Sequence, residues 1–153
     1  MVTGKMKFPA GIRFIEKSDV HKHIKSFVPE MDKFTLSDYY KWSLEENSHV
    51  IVREVDGNIS AVLYLTIHDD HIMIEMVVRN KEFVSSKGSG GDLIKSVETV
   101  IARYHKKKAI RLEAMGQVAD YYLKFLKYKK YGEPYKDSDW GLLVPMKKLL
   151  SHS

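Results

Sequence analysis

Val84-Ser85-Ser86-Lys87-Gly88-Ser89-Gly90-Gly91-Asp92-Leu93-Ile94 is a run of small, turn-forming residues between an apolar strand pattern and a strongly periodic helix. A glycine-rich loop that opens a helix leaves several backbone N–H groups unpaired beside the positive end of the helix dipole. Such a corner binds pyrophosphate without needing a charged side chain. Neither G-x-G-x-x-G nor G-x-x-x-x-G-K-[ST] is complete here. Leu93 stands where the third dinucleotide glycine would fall, and no Gly-Lys-Ser/Thr follows. The expectation is a phosphate cradle outside the dinucleotide and P-loop classes, with Ser85, Ser86, Lys87, Ser89 and the N–H groups around Gly88, Gly90 and Gly91 on the ligand. Asp92 in the first turn favours the helix start.

Downstream of the loop, Leu93, Ile94, Val97, Val100, Ile101 and Tyr104 form an apolar stripe at helical spacing. Ala109 to Ala114 then reads as a strand, and the helix between it and the preceding strand makes a parallel crossover the natural connection. Gln117 to Lys130 reads as helix, followed after Gly132 and Pro134 by two short strands around Tyr135 and from Gly141 to Met146. Upstream, Ile72 to Val78 is a strand. Before it, Val50 to Val55 and Ile59 to Ile67 flank Asp56-Gly57-Asn58, a hairpin signal because Asp-Gly supplies the positive φ of a tight turn. Further back, Ile12 to Ile15 is a short strand, Ser18-Asp19 starts a helix that Pro29 stops, and Thr35-Leu36-Ser37-Asp38 caps a second helix running to about Asn47.

With 153 residues, 44% hydrophobic and 29% charged, the chain fits one domain spanning 1–153 that can bury a sizeable core. No apolar run approaches the length of a membrane span, and the N-terminus lacks a signal-peptide succession, so a soluble, cytoplasmic protein without a membrane partner is expected. The absence of cysteine excludes disulfides, thiolate metal sites and a cysteine nucleophile. The net charge of +5 favours anionic partners. Outside Lys106-Lys107-Lys108 and Lys127, Lys129 and Lys130 the lysines are dispersed, which reads as a solvated surface rather than a nucleic-acid patch. His68 and His71 flank Asp69-Asp70, a spacing that suits a hairpin tip and offers no third ligand, so no metal is expected.

The loop resembles the acetyl-CoA signature of the GNAT superfamily of N-acetyltransferases, [QR]-x-x-G-x-[GA], with Gly88 and Gly90 at the small positions and Ser85 where Gln or Arg is usual. The order of elements from about Ile12 to Leu149 is similar to that family's as well. The resemblance implies an α/β (α+β) fold: a mixed, mostly antiparallel central sheet of about six to seven strands, flanked by about four helices and splayed between strands 4 and 5. It further implies acetyl-CoA as co-substrate, with its pantetheine arm in the splay held by the backbones of Met76, Val77 and Val78.

Acetyl transfer to an amine needs a base, because an alkylammonium of pKa about 10 is not a nucleophile at neutral pH. It also needs donors for the carbonyl oxygen and the departing thiolate. Glu75 interrupts the apolar run Ile72 to Val78. If buried there, its carboxyl would titrate higher than usual and suit a base; on an alternating strand it would instead face solvent. The resemblance places a Glu on this strand. Tyr128-Lys129-Lys130-Tyr131-Gly132-Glu133 resembles the family's Y-x-K-x-G-F, which makes Tyr128 the thiolate donor, while Ala119-Asp120-Tyr121-Tyr122-Leu123-Lys124 resembles A-x-x-Y-x-K and offers Tyr122 as the alternative. The acceptor would be an amine of a small molecule, a polyamine or a protein, drawn by Glu30, Asp32, Asp38, Glu45 and Glu46, and a homodimer stays open. A non-catalytic acyl-CoA-binding module and a basic nucleic-acid-binding protein are the rival readings.

Overall fold

The computed structural model describes residues 6–83 and 86–151. Strand β1 (Ile12–Phe14) is followed by 3-10 turns at Lys17–His21 and Pro29–Met31, not by the helix expected from Ser18 to Val28. Side chains outside the segment take donors that a helix would need: Asn80 Oδ1, 55 residues away, accepts from Lys25 N at 3.2 Å, and Asp32 Oδ1 from Ser26 N at 2.6 Å. Asp19 is fully buried and accepts from Arg13 Nη1 and Nη2 at 2.8 and 2.9 Å and from Lys22 Nζ at 3.1 Å. Burial pushes its carboxyl up, but the Arg13, Glu16 N–H and Lys22 hydrogen bonds outweigh that and hold the pKa at about 2.

Helix α1 (Leu36–Ser43) opens on the expected cap, with Asp38 Oδ2 accepting from Thr35 N at 2.8 Å and Thr35 Oγ1 accepting from Asp38 N. It stops short of Asn47, whose φ of 61° belongs to the turn into β2 (Ser48–Val55). Asp56 and Gly57, at φ 52° and 82°, make the two-residue turn into β3 (Asn58–Ile67), and β4 (Ile72–Arg79) follows. Helix α2 (Ser89–Ser96) runs through a π turn at Val97–Ile101 into α3 (Ala102–Tyr104), keeping Leu93, Ile94, Val97 and Ile101 buried. After β5 (Ala109–Met115), α4 (Ala119–Lys124) ends well before the expected Lys130. Lys127 takes φ 65° and Tyr128 N bonds to Tyr122 O at 2.9 Å, which turns the chain into β6 (Lys129–Lys130). Strands β7 (Tyr135–Asp137) and β8 (Gly141–Leu149) complete the described residues.

The sheet has eight strands in the order β1-β2-β3-β4-β5-β8-β6, with β7 also on β8, where six or seven were expected. The strand expected around Tyr135 is β7, and the added one is β6, two residues long and lying where helix was expected to continue. Only β4 and β5 pair in parallel. One face packs Leu63, Leu65, Ile72 and Ile110 beneath α2; the other packs Val50, Val52, Ile59 and Val62 beneath α1.

Two irregularities in β4 position everything that follows. The strand pairs with β5 only at Ile72↔Ile110, Met73↔Arg111 and Ile74↔Leu112, and beyond Ile74 the two strands part. Against β3, Tyr64 faces Met76 while Leu65 faces Ile74, so Glu75 is the extra residue of a bulge. The bulge reverses the strand's phase. Ile72, Ile74 and Val77 join the core beneath α2, whereas Met76 and Val78 join the core beneath α1.

Candidate functional site

Gly88 begins α2 with φ 81°, a left-handed conformation that favours glycine, and no side chain caps the helix. The first-turn N–H groups therefore keep their capacity for an outside acceptor. Small residues also let the helix start sit tightly in its corner. A Cβ on Gly90 would lie 3.3 Å from Val77 Cγ1, and one on Gly91 would lie 2.7 Å from Tyr121 Oη.

This corner opens into a cavity of about 570 Å³ that runs along the gap between β4 and β5. Lys87, Gly88, Gly90 and Gly91 line one end; Glu75, Met76, Val77, Leu112 and Glu113 line the gap; Tyr121 and Tyr122 close it from α4. From Met76 to Arg79, β4 is paired with β3 alone, so every second residue turns its backbone N–H and C=O into the gap. Arg79, on the rim, lays its guanidinium 4.2 Å from the Phe27 ring centre, and its buried Nε has no hydrogen-bond partner among the described residues.

Where the strands part, Glu75 and Glu113 stand one position beyond the last paired residues, Ile74 and Leu112. Glu75 is exposed, so the burial on which a raised carboxyl was argued is not found; its Oε2 accepts from Thr66 Oγ1 at 2.7 Å, and Thr66 Oγ1 lies 2.9 Å from His68 Nε2. Glu113 is exposed as well, and partial desolvation first, then the charges of Glu75 and Asp137, push its carboxyl up from its usual range. Both glutamates also line a second cavity of about 370 Å³, reached past Met31, Ile74, Met76 and Met115, which line both spaces.

The two candidate tyrosines are separated by the early end of α4. Tyr122 lines the first cavity, and burial, then the neighbouring Tyr121, pushes its hydroxyl up to about 12. Tyr128 lines neither cavity: it is buried in the core and donates its hydroxyl to Glu98 Oε2 at 2.9 Å, while Lys148 Nζ binds Glu98 Oε1 at 2.9 Å. Burial first, and Glu98 next, raise the Tyr128 hydroxyl far above its usual range.

Of the expected residues, Glu75, Met76, Val77, Lys87, Gly88, Gly90, Gly91 and Tyr122 come together around the first cavity. Val78 instead packs under α1, and Ser86 is buried. Ser89 turns inward, its hydroxyl 3.0 Å from Ser60 Oγ and accepting from Arg53 Nη1 at 2.9 Å. Asp92 lies off the cavity, 3.8 Å from Arg53 Nε. Ser85 falls outside the described residues. Glu113 was missed because, two residues after Arg111 on the alternating β5, it reads as an ordinary solvent-facing position. His68 and His71 stack at 4.6 Å on the β3–β4 turn, and no group of three or more potential metal ligands occurs among the described residues. None of the described helices is long and apolar enough to cross a membrane.

No family model matches the chain, and no curated protein matches it. Solved structures do. Ard1 from Thermoplasma volcanium superposes with a TM-score of 0.73 at 16% identity, over 92% of this chain and 97% of that one. The ribosomal-protein-S18-alanine N-acetyltransferase from Escherichia coli gives 0.66 at 12% identity over 93% and 94%. A GNAT family acetyltransferase from Elizabethkingia anophelis, solved with acetyl-CoA bound, gives 0.59 at 13% identity over 93% and 100%. Agreement over nearly the whole length of each, together with the parallel β4–β5 pair that parts after three residues, shows that the chain has the GNAT fold.

Proposed function

We propose that the chain is an N-acetyltransferase that moves an acetyl group from acetyl-CoA to a primary amine within a ternary complex. The observation that carries this reading is the continuity of one cavity from the uncapped start of α2, along the unpaired edge of β4, to two carboxylates where the strands part. Phosphate oxygens suit the α2 corner, with Lys87 and Arg79 adding positive charge. Amide groups of a pantetheine arm suit the unpaired N–H and C=O groups of β4. Acetyl-CoA supplies the thioester carbon that the amine attacks, the C–N bond forming as the C–S bond breaks with its electron pair on sulfur. Glu75, the exposed carboxylate at the junction, takes the amine's proton, with Glu113 beside it. Tyr122, not Tyr128, gives the thiolate a proton, because its hydroxyl stays protonated at neutral pH and lines the cavity. No cysteine is present for a covalent acyl intermediate.

The test is a panel of amines with detection of free thiol, run beside thermal melting with and without acetyl-CoA. A rise in melting temperature on adding acetyl-CoA and amine-dependent thiol release are expected. Binding without release for any amine would favour an acyl-CoA-binding module; no thermal response would sink the reading.

A further inference from the structure

The second cavity lies on the far side of the Glu75–Glu113 junction from the α2 corner, and it differs from the first in chemistry. Its walls are aromatic and thioether: Tyr64, Tyr135 and Trp140 with Met31, Met73 and Met115. The ring of Tyr64 is held by a stack on Trp42 at 5.2 Å, and Asp137 Oδ1 accepts from Asp139 N and Trp140 N at 2.8 and 3.1 Å, fixing the β7–β8 turn that carries Trp140. The charged groups in its lining are Glu75, Glu113 and Asp137, and no Lys, Arg or His is among the described residues there, in a chain whose net charge is +5. The nearest aromatic–cation contact has Lys33 Nζ, outside the lining, 5.8 Å from the Trp140 ring centre.

We propose that this second cavity is the acceptor pocket and selects small aliphatic amines with a second cationic nitrogen, a diamine or polyamine, over monoamines and peptide N-termini. The inference rests on the acetyltransferase reading above. One nitrogen reaches Glu75 at the junction and is acetylated. The methylene chain lies against the methionines and ring faces, where apolar surface is removed from water. The second ammonium, protonated throughout, sits between Asp137 and the faces of Trp140 and Tyr135, where carboxylate attraction and cation–π contact combine. Mutual repulsion supports the assignment, because Glu113 feels both Glu75 and Asp137 and the protein places no cation of its own in the lining to relieve it. A dication does so.

The matched pair n-butylamine and 1,4-diaminobutane differs by one ammonium and tests this directly. With saturating acetyl-CoA, thiol release should give a kcat/KM at least about 10-fold higher for the diamine, the size of one favourable charge contact. Asp137→Asn keeps an oxygen for the turn and should shrink that ratio several-fold, chiefly by raising KM for the diamine. Equal kcat/KM for the two amines, or faster acetylation of a neutral tetrapeptide with a free N-terminus, overturns the proposal while leaving the acetyltransferase reading intact. If none of the three is turned over, melting of the acetyl-CoA-saturated protein decides: a larger shift with 1,4-diaminobutane than with n-butylamine supports it, and equal shifts overturn it. Absence of any response to acetyl-CoA itself would instead strike the underlying reading.

Discussion

Tyr122 and Tyr128 have rings 5.8 Å apart, yet Tyr122 lines the first cavity while Tyr128 gives its hydroxyl to Glu98 in the core. Replacing Tyr128 with Phe removes a donor from the buried Glu98 carboxylate and should cost about 1–3 kcal/mol of stability, read by denaturant unfolding, with kcat preserved. Replacing Tyr122 with Phe should leave stability nearly unchanged and lower kcat by about 10²-fold if it protonates the thiolate. Glu75→Gln should lower kcat by a similar factor, and Thr66→Val by about 5-fold, the worth of roughly 1 kcal/mol for a hydrogen bond to a carboxylate. The sequence offered both tyrosines and favoured Tyr128 for the glycine that follows it. What separates them is a left-handed Lys127, and a lysine in that conformation leaves no trace in composition or periodicity.

At the start of α2, Gly90 and Gly91 leave little room for side chains. A Leu at position 91 would drive its side chain into Tyr121, so Gly91→Leu should abolish the melting-temperature rise on adding acetyl-CoA. Gly57→Ala provides the comparison: with φ 82° and nothing within 4 Å of the added Cβ, it should cost about 1 kcal/mol from backbone strain and leave the acetyl-CoA response intact. Hairpin, crossover and stripe were legible because each is written in local chemistry: Asp56-Gly57, a long helix between strands, apolar residues at helical spacing. The segment after Asp19 was misread as helix because Asn80 and Asp32 capture its backbone donors, and Asn80 lies 55 residues away from the Lys25 it binds. No local window holds the Asn80 contact.

For the whole molecule, a pair of histidines contributes to acid sensitivity. Burial first lowers the pKa of both His49 and His105, whose rings lie 5.8 Å apart, and the charge of His105 adds to the effect on His49 and that of Lys107 to the effect on His105. The folded state thus holds both neutral where the unfolded chain, titrating at about 6.5, already binds protons. Stability from this pair is complete above about pH 6.5 and declines as pH falls through that value toward the lowered folded pKa. Melting temperature should fall between pH 7.5 and 5.5, and a His49→Phe/His105→Phe double variant should flatten the slope. The Asp19 cluster acts in a separate window, losing its contribution only as pH drops below about 4 toward 2.

Because β4 changes phase at Glu75, its side chains cannot be re-sorted by substitution. Deleting Glu75 would straighten the ladder and still leave Val77 beneath α2 and Met76 and Val78 beneath α1, because the bulge already sets that residue outside the pairing with β3. One residue more than its neighbour lets this strand carry a carboxylate into the crevice while both cores keep their packing, so losing that residue should silence the site and spare the scaffold.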